Sequence, residues 1–149
     1  MSYSSRIEIA TFEDAEAIID LLRSADEQID DVDPDFTLFF IVRDEENTKI
    51  IGCVGLELFT GTALLRLYAV DTAYQETDLG NCLIEKLLEE AFDAGSEAVY
   101  VCAAKTPSFF WENGFIGIDL DDVPGEIRNS DLFTKDCPQV AAFVKKRTL

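Results

Sequence analysis

"VDTAYQETDLGNCLIEKLLEEAFDAG", Val70–Gly95, decides how the rest of this chain is read. It begins as the end of a strand, passes through a short turn and becomes a helix from Leu79. Leu79, Leu83, Leu87 and Ala91 fall on one helical face, beside Ile84 and Leu88, and Gly95 ends the run as a good C-terminal residue. A turn that gathers backbone N–H groups at a helix N-terminus is a place to hold a phosphate. This one carries Glu76 and Asp78, two negative charges where an anion would sit.

Working outward, "RIEIA" (6–10) alternates and reads as a strand. Thr11 caps "FEDAEAIIDLLRSA", whose Ala15, Ile18, Ile19 and Leu22 keep helical spacing and whose acids fall in the first turn. "DEQIDDVDPDF" is acidic and broken by Pro, so it is a loop or a short helix. "LFFIVRD", "KIIGCVGLELF" and "ALLRLYAV" are strands joined by the turns "EENT" and "TGT", an antiparallel meander. After the helix come the apolar strand "EAVYVCAA", a short helix in "PSFFWENG" and the strand "FIGIDL". The ending "CPQVAAFVKKRTL" is read as a helix, with a strand as the alternative. The order predicts one α+β (mixed α/β) domain over 1–149: a central mixed, mostly antiparallel sheet flanked by helices.

The chain has 149 residues, nearly half of them hydrophobic, and a formal net charge of -18. That charge argues against nucleic acid or an anionic membrane as partner, since both need a basic face. The acids are spread along the chain, giving an acidic shell of the haloarchaeal kind. Such a shell suits molar salt, where the Debye length falls to about 3 Å. No signal pattern or spanning run is visible, so a cytoplasmic protein is expected. Cys53, Cys82, Cys102 and Cys137 are irregularly spaced and expected as free, mostly buried thiols, Cys102 as a small core residue. Without His, and without paired cysteines, no metal site is expected.

The element order, with "KIIGCVGLELF", "ALLRLYAVDTAYQETDLGNCLIEKLLEEA" and "FFWENGF" in it, resembles the GNAT-type N-acetyltransferases. Within that group, "IIGCVGLE…ALLRLYAV" and "CPQVAAFVKK" look most like small acetyltransferases associated with arsenic resistance. The group's loop pattern is Arg or Gln, two residues, Gly, one residue, then Gly or Ala. Gln75 and Gly80 match it, Asp78 stands where Gly is expected, and Glu76 stands where Gly is common.

The resemblance implies transfer of acetyl from acetyl-CoA to an amine of a small molecule. It implies cofactor contacts from Leu67, Tyr68, Ala69 and Val70, and from Gln75, Glu76, Thr77, Asp78, Leu79 and Gly80. Phe110 stands where many members have a Tyr that protonates the leaving thiolate, and Phe cannot donate. Glu57 is a candidate general base. Arg66, in an apolar strand, needs a carboxylate partner; Glu57 across the hairpin is one, and a carboxylate on the acceptor is another. Tyr68 and Tyr100, on neighbouring strands, are candidate substitutes for the missing acid, though both also read as core or rim aromatics. Asp78 is also a natural N-cap for the helix, using the donors a phosphate would use. A carboxylate about 5 Å from a phosphate charge costs roughly 3 kcal/mol at an effective dielectric of 20. The same residues therefore allow a second reading, a non-catalytic module that keeps the fold but only binds. A two-fold homodimer is a common assembly for such domains.

Overall fold

The strand–turn–helix read at 70–95 forms as β4 (Ala63–Val70), a 3-10 turn (Thr72–Tyr74) and the 15-residue helix α2 (Leu79–Asp93). The computed structural model describes residues 3–25, 38–46, 48–102, 107–129 and 142–147. The acidic segment 26–36, expected as loop or short helix, lies outside the described residues. The other elements are β1 (Glu8–Ile9), α1 (Ala15–Ser24), β2 (Leu38–Arg43), β3 (Ile50–Leu58), β5 (Ala98–Cys102), α3 (Pro107–Glu112), β6 (Ile116–Gly117), α4 (Gly125–Arg128) and β7 (Ala142–Lys146). The seven strands form one mixed sheet in the order β1-β2-β3-β4-β5-β7-β6, the expected α+β class. β4 and β5 run parallel, with Ala63 opposite Val99 and Leu64 opposite Tyr100. The β1–β2, β2–β3, β5–β7 and β6–β7 pairs are antiparallel.

Two compact units share these elements, residues 1–57 with 66–89 and residues 58–65 with 90–149. In the first, Ile18, Leu21 and Leu22 of α1 pack on Phe39, Ile41, Ile50, Cys53, Leu67 and Ala69. Thr11 stands at the N-cap of a 3-10 turn that leads into α1, and its backbone N–H donates to Asp14 Oδ2 at 2.9 Å. Gly52 lets α2 approach β3: a Cβ there would overlap Leu79 Cδ2 and come within 3.0 Å of Leu83 Cδ1. A bulge between Val42 and Arg43 shifts the β2–β3 register.

In the second unit, Leu64, Ala98, Tyr100, Ala142 and Val144 pack with Val123 and Ile127. β7 corrects the helical reading of the tail. Ala142 and Val144 alternate inward, and β7 is paired on both edges, by β5 and by β6. A short apolar run does not distinguish strand from helix by periodicity, and here the two ladders decide. Cys102 also departs from expectation: it is half-buried and disulfide-bonded, whereas Cys53 and Cys82 are buried thiols outside any disulfide. Cys137 lies outside the described residues.

Candidate active site

Glu57 and Arg66 sit on adjacent strands and meet. Arg66 Nη1 donates to Glu57 Oε2 at 3.1 Å, as the hairpin reading predicts. The arginine side chain is 8% exposed and the glutamate's is 22% exposed. An arginine buried to that depth is costly unless paired, and Glu57 supplies the opposite charge while keeping one side toward solvent. The pair therefore combines a fixed cation with a partly accessible carboxylate.

The next residue, Leu67, adopts φ +57°, the left-handed region that a branched side chain rarely enters. The same peptide segment is held from the core: the Cys53 thiol donates to the Leu67 carbonyl at 3.6 Å. Such a kink breaks the regular pleat of β4 and re-aims its backbone groups. Tyr68 follows, half-buried. Burial pushes its phenol pKa well up, and Cys53 adds a smaller push in the same direction. Tyr68 therefore stays a phenol and donates a hydrogen bond more readily than a proton. Ala69 and Val70 complete β4 as buried residues.

The loop that follows is closed by its own side chains. Asp71 N–H donates to the Ile51 carbonyl at 2.8 Å, and its carboxylate takes the Ala73 N–H at 3.0 Å and Lys49 Nζ at 2.8 Å. Gln75 Nε2 donates to the Val70 carbonyl at 3.4 Å, tying the loop to the strand end. The Thr77 hydroxyl donates to the Tyr74 carbonyl at 2.6 Å and accepts the Leu79 N–H at 3.3 Å. Gln75, Glu76, Thr77 and Asp78 are exposed, while Leu79 and Gly80 are buried in the first turn of α2.

Asp78 stands at the N-cap position, its carbonyl accepting the Cys82 N–H at 3.0 Å. Its side chain does not follow the cap reading. Oδ2 accepts from Cys82 Sγ at 3.7 Å, and among the described residues the carboxylate meets no helix N–H. The backbone N–H groups of Glu76, Asp78 and Gly80 thus have no protein acceptor among the described residues. These donors at the start of a long helix suit an anion.

Phe110 belongs to the second unit. It is 3% exposed, edge-on to Phe109 at 5.2 Å and to Phe115 at 5.5 Å between centroids. Among the described residues no cluster of acids and cysteines is arranged to hold a metal ion. None of the described helices is long and apolar enough to cross a membrane. Sequence reasoning missed Cys53, Cys82 and the Lys49–Asp71 pair. Only Cys82 carried a signal: it lies four residues after Asp78, one helical turn away.

Comparison with known proteins supplies the rest. The chain is 28% identical to an amino-acid acetyltransferase of Aeromonas salmonicida over 126 residues, 78% of this chain and 28% of the relative. A Pasteurella multocida protein of the same name is 24% identical over 86% of this chain and 31% of its own length. The chain thus spans less than a third of these curated relatives. Among solved structures, N-acetylglutamate synthase of Neisseria gonorrhoeae, complexed with coenzyme A and N-acetyl-glutamate, superposes with a TM-score of 0.80 at 20% identity, over 96% of this chain and 35% of that one. A GNAT-family acetyltransferase from Staphylococcus aureus gives 0.75 at 17% identity, over 94% and 97%. Residues 6–113 match the model of the acetyltransferase (GNAT) family, and the chain belongs to that family.

Proposed function

We propose that this chain is an acetyl-CoA-dependent N-acetyltransferase whose acceptor is the amine of a small molecule, of the amino-acid class. The observation that carries the reading is the Glu57–Arg66 pair at 3.1 Å, immediately before the kink at Leu67. Family membership supports the reaction type, and the amino-acid acetyltransferase relatives support the acceptor class. The residues present fit the cofactor: N–H donors of Glu76, Asp78 and Gly80 stand ready for its phosphates, and Leu67–Val70 offers strand-end backbone for its arm.

When bound, acetyl-CoA supplies the acetyl thioester. The amine nitrogen bonds to the acetyl carbon, the carbon–sulfur bond breaks, and the thiol leaves. Glu57 receives the proton that the amine must lose, directly or through a water, and Arg66 fixes the carboxylate in place. Tyr68, kept protonated by burial, donates a hydrogen bond and not its proton. A free thiol titrates near 8.5, so the leaving sulfur takes its proton from solvent. On this reading the 149 residues act as one cytoplasmic, salt-adapted domain, for which a two-fold homodimer is a common assembly.

A second reading, a binding module without turnover, is favoured by the acids at 76 and 78 and by Phe110 at the usual tyrosine position. Coenzyme A release, followed with a panel of amino acids and simple amines in molar KCl, separates the two. Turnover with an amino-acid acceptor supports the enzyme. Binding without turnover of any amine supports the module; it is read as a rise in stability of about 2.7 kcal/mol at 100 times the dissociation constant.

A further inference from the structure

We propose that Cys82 is a positioning residue that holds the Asp78 carboxylate off the phosphate-binding N–H groups. The inference rests on the acetyl-CoA reading above. An Asp at the N-cap position ordinarily turns its side chain onto the N–H groups two or three residues on, here those of Gly80 and Asn81. In this loop that conformation would occupy the donors meant for an anion and place a negative charge beside it. The observed carboxylate is turned instead to Cys82 Sγ, 3.7 Å away and one turn into α2.

The thiol is itself set. Cys82 is buried, and Ser4 Oγ, from the 3-10 turn Tyr3–Arg6, donates to Cys82 Sγ at 3.4 Å. The sulfur accepts from Ser4, and its one hydrogen points to Asp78 Oδ2. Ser4, Cys82 and Asp78 form a relay of donors that ends on the carboxylate. The Thr77 hydroxyl takes the Leu79 N–H, and the Gly80 N–H has no protein acceptor among the described residues. An acidic residue at the position where the family favours Gly is therefore compatible with a phosphate, because a thiol one turn away parks its charge.

The test is titration of acetyl-CoA into the full chain at about 0.1 M and about 1 M KCl, where the Debye length falls from about 10 Å to about 3 Å. With Asp78 released onto the helix, Cys82→Ala raises the dissociation constant roughly fivefold at the lower salt, the size of one helix cap of about 1 kcal/mol. The loss shrinks at the higher salt, and KM moves while kcat does not. Cys82→Ser keeps the donor and binds as the unmodified chain does. Asp78→Gly combined with Cys82→Ala binds as Asp78→Gly alone. The inference is overturned if Cys82→Ala binds like the parent chain. It is also overturned if the loss persists in the Asp78→Gly background, which would mark Cys82 as a packing residue. A parent chain that does not bind acetyl-CoA at all overturns the functional reading, and this inference with it.

Discussion

Glu57 and Asp78 are both carboxylates of the proposed site, and the fold treats them in opposite ways. Glu57 is held by a buried guanidinium at 3.1 Å. Asp78 is exposed and held by a neutral thiol at 3.7 Å. The first bond carries a charge on both partners, whereas the second has a charge on the acceptor only and a thiol, a weak donor, on the other side. The difference follows burial. Arg66 has lost its water and needs a full counter-charge, whereas Asp78 keeps solvent and needs only a preferred direction. Glu57 is thereby fixed in place, and Asp78 is merely turned aside.

The largest expected effect comes from breaking the fixed carboxylate. Glu57→Gln keeps size and can still accept from Arg66, but it cannot take a proton at working pH. Turnover should fall by about 10²–10⁴, the usual worth of a general base. Cofactor affinity should hardly move, so the loss appears in kcat and in kcat/KM alike. If activity per folded molecule is unchanged, Glu57 is only Arg66's counter-charge and proton removal lies elsewhere.

Arg66→Met comes next and reads out in stability. It keeps an unbranched stem in the buried strand but leaves Glu57 without its cation. Breaking a fully buried pair costs about 3–5 kcal/mol, and Glu57 retains solvent on one side, so about 2 kcal/mol is expected. Denaturant unfolding in molar KCl measures it. A double variant, Arg66→Met with Glu57→Gln, should recover part of the loss because the stranded charge is gone. No recovery would mean that Arg66 stabilises by packing its stem, not by pairing.

Much of this was legible before the structure. The strand–turn–helix at 70–95 declares itself through a long apolar stripe with a clear stop, and the meander through alternation and turns. The Glu57–Arg66 contact was legible because an arginine among leucines demands a nearby acid, and the hairpin offered one. The tail was not. Its apolar run is too short to separate periods of 2 and 3.6, and β7 owes its form to partners far away in sequence. The Asp78 side chain was misread for a related reason. Local rules assign it to the helix N–H groups, but its direction is set by a thiol that Ser4 orients from 78 residues away. The kink at Leu67 left no trace either, since no Gly marks it.

Asp14 sharpens the comparison at the smallest scale, as a third carboxylate treated like Glu57. It is buried, accepts from Arg43 Nη2 at 2.6 Å and takes the Thr11 N–H at 2.9 Å. The Arg43 guanidinium first, and then the Thr11 N–H, hold its carboxyl below the usual carboxylate range. A depressed folded pKa means that the unfolded chain binds the proton first as pH falls. The contribution of Asp14 is therefore fully present above about pH 4, near the ordinary Asp value, and is lost as pH drops through the lower folded value. Raw acid denaturation of this chain would not isolate it. Thirty acids titrate together, and neutralising them relieves the self-repulsion of a net charge of -18. The difference between the parent and Asp14→Asn cancels that background. Asn keeps the size and one acceptor but loses the charge-assisted bond, so it should cost about 1–2 kcal/mol near pH 7. The gap should close as pH falls below about 4, where the parent begins to lose the same contribution. Thermal unfolding of both proteins from neutral to acid pH, at fixed molar KCl, follows the gap directly. A gap that stays constant across that range would show that Asp14 acts through shape and hydrogen bonding alone.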